Sequence, residues 1–235
     1  MINQENILYQ DDDIIVINKP SGLPVHYNDF IPKDAPWLTK LTGKLIDSPV
    51  FNVHRLDAKT SGVIVLALSR EIAGLLTQQF SNQQVDKTYL AITKGNPGKG
   101  TFENPVLVKK KSKKRKAATT HYKTFKSIHT GLETKEGVPL ILSLAELNPE
   151  TGRWHQLRQH LAYNRTDIIG DTHHGDFSLN RRITEITGIN RLMLHASEIR
   201  FHHPQKQTPL HFTAPLPQSF DLIMKEMQSH SDLNP

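Results

Sequence analysis

The densest concentration of reactive side chains is His54-Arg55-Leu56-Asp57-Ala58-Lys59-Thr60-Ser61-Gly62. Asp57 has an arginine two residues before it and a lysine two residues after it, a setting that favours the ionised carboxylate. A positioned carboxylate can act as nucleophile, base or metal ligand. It can equally be a turn aspartate that accepts from backbone N–H groups, as can Thr60 and Ser61, and the stretch alone leaves both readings open. A second concentration is Gly152-Arg153-Trp154-His155-Gln156-Leu157-Arg158-Gln159-His160. On a helix, His155 and Arg158 are i,i+3 neighbours, and an arginine beside core-facing Leu157 can reach inward as the bidentate partner of a carboxylate. An exposed helix arginine is the plainer alternative.

The chain has 13 histidines, seven of them between His155 and His203, which raises the question of a metal. There is no HExxH pair, no cysteine, and no repeated His/Asp spacing beyond Gly170–Asp176, GDTHHGD, so no catalytic metal is predicted. The lack of GxGxxG and GxxxxGK[ST] points away from dinucleotide and P-loop nucleotide sites.

The elements that must position these residues are mostly strands. Ile7–Tyr9 and Ile14–Asn18 flank a three-aspartate turn, and Lys19-Pro20-Ser21-Gly22 ends the second of them. Residues 27–50 read as loop with at most one short helix around Trp37–Leu45. Gly62–Leu68, a β-branched apolar run, is predicted to be a central strand. Ser69 is a candidate N-cap for a helix carrying Ile72, Leu75, Leu76 and Phe80 on one face and reaching about Gln84. Lys87–Thr93, Thr120–Ile128, Pro139–Leu147, Leu192–Phe201 and Leu210–Thr213 are strand-like. Trp154–Tyr163 is expected to be helical, with Leu157 and Leu161 facing the core. Ser219 is expected to cap a last helix bearing Leu222, Ile223 and Met227. Many strands with few helices between them predict an α+β fold with a mixed, largely antiparallel sheet. Periodicity marks no boundary, so one domain over 1–235 is expected.

With 235 residues, 37% hydrophobic and 22% charged, the chain is long enough to bury a core without staples. Absence of cysteine removes disulfides, thiolate nucleophiles and thiolate metal sites, and fits a reducing compartment. No basic n-region precedes an apolar core at the N-terminus, and the longest apolar run, Val63–Leu68, is far short of a membrane span. A soluble, cytoplasmic protein is expected. The net charge is +6, but nine Lys/Arg and no acid lie between Asn104 and Leu132, and removing those nine leaves the remainder at −3. Seven of them form Lys109–Lys116, KKKSKKRK, expected as a long loop or the tips of a hairpin within 104–132. Such a run is the electrostatic footprint of a polyanion partner, or simply a solvated loop that aids solubility.

Taken together, these stretches resemble the RluA-type family of pseudouridine synthases. The resemblance is carried by Asn18–Gly22 (NKPSG), His54–Gly62 (HRLDAKTSG), Lys87-Thr88-Tyr89, Pro149–Ala162 (PETGRWHQLRQHLA), Ile168–Asp176 (IIGDTHHGD) and Arg191–Pro204 (RLMLHASEIRFHHP), in the family's order over nearly the whole chain. It implies a pseudouridine synthase catalytic domain in which a mixed, mostly antiparallel central sheet is flanked by helices and loops. It also implies isomerisation of a selected RNA uridine, in which the N-glycosidic bond breaks and the base reattaches through carbon, with no cofactor and no metal. Asp57 would be the catalytic aspartate, Tyr89 the tyrosine beside the target base, and Arg158 the arginine holding the catalytic carboxylate. Arg55 would help displace the base from its stack. His54, Arg55, Arg153, Lys109, Lys110, Lys111, Lys113, Lys114, Arg115 and Lys116 are the candidate RNA contacts. A base extracted from folded RNA costs a few kcal/mol, which an inserted side chain and a basic surface would offset.

Within the family the chain most resembles the branch acting on uridine 65 of tRNA, through its N-terminal ILYQDDDIIVINKPSG, Ala118–Lys123 (ATTHYK) and GDTHHGD. No S4-like RNA-binding domain is expected ahead of the catalytic one. The expected partner is therefore RNA, tRNA ahead of rRNA, with no membrane, no obligate protein partner and a monomeric state. Asp167 stands where a proline is usual before IIGD, and Trp154 occupies a variable position; neither touches the proposed chemistry. The rival classes are an RNA-binding module or chaperone without catalysis, for which the basic surface alone would suffice, and a histidine-dependent metalloenzyme acting on phosphate esters.

Overall fold

The computed structural model describes residues 2–27, 32, 35–109, 112–134 and 137–233. In chain order its strands and helices are β1 (Ile7–Gln10), β2 (Ile14–Lys19), α1 (Leu38–Leu45), β3 (Phe51–Asn52), β4 (Ser61–Ala67), α2 (Arg70–Ser81), β5 (Asp86–Lys94), β6 (Lys99–Phe102), β7 (Val106–Leu107), β8 (Arg115–Lys116), β9 (Thr120–Glu133), β10 (Pro139–Pro149), α3 (Gln156–Tyr163), α4 (Phe177–Thr187), β11 (Leu194–His202), β12 (Pro209–Thr213) and α5 (Gln218–Leu233). This is the expected α+β class. The chain divides into two compact units, each assembled from separated segments: Met1–Lys87 with His195–Pro215, and Thr88–Leu194 with Leu216–Pro235.

In the first unit the strand order is β1-β2-β4-β11-β12, with β3 on β4 as well. β4 is buried along its whole length, as expected of an unbroken apolar run covered on both faces. Its pairing with β11 is parallel, His195 opposite Ser61 and Ala196 opposite Gly62, whereas β1, β2, β3 and β12 pair antiparallel. Ser69 caps α2 as expected, its hydroxyl accepting from the Ile72 N–H at 3.2 Å. β4 and β11 approach so closely at Gly62 that any Cβ there would collide with the Ala196 backbone, and Gly62 also has φ +115°. Gly62→Ala is therefore expected to lower the free energy of unfolding by at least about 2–3 kcal/mol, read from urea midpoints. Wild-type stability in this variant would contradict the packing described.

In the second unit β5-β10-β9-β6 form an antiparallel order. Leu142, Leu147, Leu157, Leu161, Ile169, Ile183, Phe220 and Met227 belong to one core cluster there, so sheet, α3, α4 and α5 share a core. β7 and β8 pair antiparallel as a separate hairpin.

Three local expectations are corrected. Helix α3 begins at Gln156 rather than Trp154, because His155 takes a left-handed conformation (φ 48°) and the Gln156 side chain accepts from the Arg153 N–H at 3.1 Å. Ser219 lies inside α5 with its hydroxyl unpartnered, so it is not the cap, and Leu222 is exposed while Ile223 and Met227 are buried. Helix α4 was not expected. It starts on Asp176, whose carboxylate accepts from the Ser178 and Leu179 N–H groups, and stops at Gly188 (φ 69°).

Candidate active site

Asp57 lies in a turn immediately before β4, partly accessible, with its carbonyl accepting from the Thr60 N–H at 3.0 Å. The turn is held from several directions within the first unit. Lys19, fully buried at the end of β2, donates from Nζ to the carbonyls of Pro20, Leu23 and Ala58 at 2.9, 2.9 and 3.0 Å. The Gly22 N–H also donates to the Ala58 carbonyl (2.8 Å), and the Ser21 hydroxyl donates to that of Lys59 (2.6 Å). The Lys-Pro-Ser-Gly segment thus does more than end a strand: it clasps the residues that follow Asp57. Charge-assisted bonds of this kind are the stronger ones. At the far end of the turn the Ser61 hydroxyl meets His195 Nδ1 at 2.8 Å, and His195 Nε2 donates to the Ala214 carbonyl at 3.2 Å.

His54 sits ahead of the turn with its ring stacked on Phe80 (centroids 4.4 Å apart), and its Nε2 accepts from the Val65 N–H at 3.0 Å. Burial, helped by the nearby Lys87 charge, pushes its pKa down to about 3, so it is neutral at pH 7. Arg55 is exposed on the same turn.

In the second unit Arg158 is 5% exposed and forks onto Asp171, which is 1% exposed, through Nε–Oδ2 and Nη2–Oδ1 bonds of 2.7 Å each. The bidentate geometry anticipated from the sequence is present, on a carboxylate the sequence reading did not single out. Burial alone would raise the Asp171 pKa. The Arg158 hydrogen bonds and charge, with the His173 and His174 N–H groups at 2.8 and 3.0 Å, outweigh it and hold the carboxyl down at about 2. Arg158 Nη1 lies 2.8 Å from His155 Nε2. Tyr89 stands on β5 opposite Leu147, partly buried against the core of this unit.

The remaining motif residues on α3 build the support of the basic segment. Gln156 donates to the Thr119 carbonyl and Thr120 hydroxyl at 2.9 and 3.0 Å. Gln159 accepts from the Leu107 N–H and donates to its carbonyl, as a neighbouring strand would. His160 bridges the Thr120 hydroxyl and the Asn104 carbonyl. The described residues of the basic run belong to the β7–β8 hairpin: Lys109, Lys113, Lys114, Arg115 and Lys116 are exposed there, while Lys110 and Lys111 lie outside the described residues. Arg115 donates to the Tyr163 hydroxyl at 2.7 Å and to the Pro105 carbonyl at 3.0 Å. Exposed Arg153 points Nε at the Ala117 carbonyl, 3.4 Å away. Gln156, Gln159, His160 and Asp171 were legible as motif letters, but their donor and acceptor roles needed the fold.

An α+β protein with an aspartate turn clasped ahead of its central strand, a buried arginine–carboxylate fork and a basic hairpin has the parts of an enzyme that handles a polyanion. Residues 13–163 match the family described as RNA pseudouridylate synthase. The chain belongs to that family, and it is an isomerase. It is 37% identical to tRNA pseudouridine synthase C of Haemophilus ducreyi over 96% of each chain. It is 36% identical to tRNA pseudouridine synthase C of Vibrio cholerae over 94% of each. Among solved structures, human RNA Pseudouridylate Synthase Domain Containing 4 superposes with a TM-score of 0.71 and 30% identity, over 95% of this chain and 93% of that one. No helix among the described residues is long and apolar enough to cross a membrane.

Proposed function

We propose that the protein converts one uridine of tRNA, uridine 65, to pseudouridine, with Asp57 as the catalytic carboxylate and no cofactor. In the reaction the N1–C1′ bond breaks and a C5–C1′ bond forms; N1 gains a proton and C5 loses one, so the product is an isomer. The target base is flipped from its stack, with Arg55 taking its place, and Tyr89 and Arg158 serve the reaction in the roles the family resemblance gives them. Basic residues of the hairpin, with Arg153, hold the RNA backbone. The protein works in the cytoplasm as a monomer. The observation that carries the tRNA assignment is the likeness, over nearly the whole chain, to synthases named for tRNA.

The test is conversion of purified, unmodified transcripts in vitro. Full-length tRNA should acquire pseudouridine at position 65 alone, and ribosomal RNA fragments none. Modification of ribosomal fragments in preference to tRNA would keep the chemistry and overturn the substrate.

The hairpin's part can be measured separately. Replacing Lys109, Lys113, Lys114 and Lys116 by glutamine should weaken tRNA binding and flatten the dependence of log K on log salt by about 3, since each phosphate contact contributes roughly 0.7–0.9 to that slope. An unchanged slope would remove the hairpin from the RNA interface.

A further inference from the structure

We propose that His155, His173 and His174 form a binding site for one divalent transition-metal ion of the zinc type, and that its occupancy competes with Arg158 for His155. The three rings lie in the second unit with centroids 4.5–5.3 Å apart, and one nitrogen from each falls within 4.8 Å of the others. His155 Nδ1 and His174 Nε2 are 3.0 Å apart. Two imidazole nitrogens on a tetrahedral zinc, each about 2.0–2.1 Å from the ion, stand about 3.4 Å apart, so this pair needs little adjustment and His173 a side-chain rotation. All three side chains are partly exposed, which gives the ion a way in. Imidazole ligands without carboxylate favour zinc, nickel or copper over magnesium.

The backbone beneath these rings is fixed. Asp171 accepts from the N–H groups of His173 and His174 while Arg158 grips its carboxylate. The left-handed backbone at His155 and the stack of Trp154 on its ring, with centroids 4.0 Å apart, orient the third ligand. The Arg158 charge does not exclude a cation, because the buried Asp171 carboxylate at 2.7 Å neutralises it.

The competition follows from the imidazole. Arg158 Nη1 can only donate, so His155 Nε2 accepts, Nδ1 carries the proton, and that proton is donated to His174 Nε2. A metal on Nδ1 requires the other neutral tautomer, with the proton on Nε2, where it opposes the Arg158 N–H. Binding through Nδ1 therefore moves the His155 proton to Nε2 and breaks the Arg158–His155 hydrogen bond. The other histidine–carboxylate cluster, Asp11, Asp13 and His203, is less suited: Asp11 already accepts from the Tyr9 hydroxyl at 2.8 Å and faces the Lys206 ammonium at 3.4 Å.

The test is titration of the tag-free, full-length protein with zinc alone, followed by calorimetry. Nitrogen-15 shifts of the histidine rings report the tautomer, and cobalt absorption reports the coordination geometry. Expected are one ion per chain, tetrahedral cobalt bands, a switch of the His155 proton from Nδ1 to Nε2, and affinity lowered more than about 100-fold in both His173→Ala and His174→Ala. These side chains are partly exposed and the variants' unfolding temperatures check their folding, while Asp13→Asn should bind as wild type does. Absence of saturable binding, wild-type affinity in both histidine variants, loss of binding in Asp13→Asn, or an unmoved His155 proton would each overturn the proposal. None of these readouts depends on the synthase reaction, so the RNA reading stands or falls separately.

Discussion

Asp57→Asn is expected to lower pseudouridine formation by at least about 10⁴-fold, the scale on which removal of a catalytic group reduces turnover. The same variant should bind tRNA within about threefold of wild type and remain folded, since the bonds that hold the turn's backbone stay in place. Lys19, Gly22 and Ser21 bond to the backbone of Ala58 and Lys59, and Ser61 bonds to His195; none of these contacts uses the Asp57 carboxylate. The measurement is single-turnover release of tritium from C5 of the substrate uridine, because forming the C5–C1′ bond expels that hydrogen. Turnover within tenfold of wild type would remove Asp57 from the chemistry.

The second large effect is on stability. Asp171→Asn removes the negative charge onto which the Arg158 Nε and Nη2 groups fork, and breaking a buried pair from one side typically costs about 3–5 kcal/mol. For a chain of this size that corresponds to a fall in Tm of about 6–20 °C. The pH dependence separates the charge from the packing. The folded Asp171 pKa, about 2, lies below its ordinary 3.8. Its ionised form therefore contributes stability above about pH 4, and that contribution, about 2 kcal/mol, disappears as pH falls through 2. The gap between wild type and Asp171→Asn should accordingly narrow between pH 4 and pH 2. A gap constant over that range would show that the pair's charge is not what stabilises the unit.

The parts of this protein legible in its sequence are those where a local rule is strong. β4 reads directly because seven consecutive buried residues leave no alternation to misjudge, and α2 because Ser69 caps it and Ile72 and Leu76 repeat four apart. The Asp57 turn is visible because an aspartate between Arg55 and Lys59 precedes that strand. Helix α4 escaped because its cap, Asp176, is embedded in GDTHHGD, which reads first as a histidine motif; only Leu179 and Ile183 are buried, and its first residue, the apolar Phe177, is exposed, which blurs the helical stripe. The α5 start was misplaced because Ser219 is an attractive cap by type, yet the Phe220 N–H bonds to the Pro217 carbonyl and the helix begins at Gln218. Arg158 was legible as a fork seeking a carboxylate, but Asp171 lies thirteen residues away in a turn that only the tertiary fold brings to it. Lys19 was hidden for the same reason, since its Ala58 acceptor is 39 residues distant.

The central claim, that the Asp57 turn isomerises a tRNA uridine, is tested most directly by mapping pseudouridines at single-nucleotide resolution in cellular tRNA and rRNA. Cells lacking the gene would be compared with cells complemented by wild type or by Asp57→Asn. The predicted result is one missing tRNA pseudouridine, at position 65, restored by wild type and not by the variant. Restoration by Asp57→Asn, or an unchanged set of tRNA pseudouridines in cells without the gene, would contradict it.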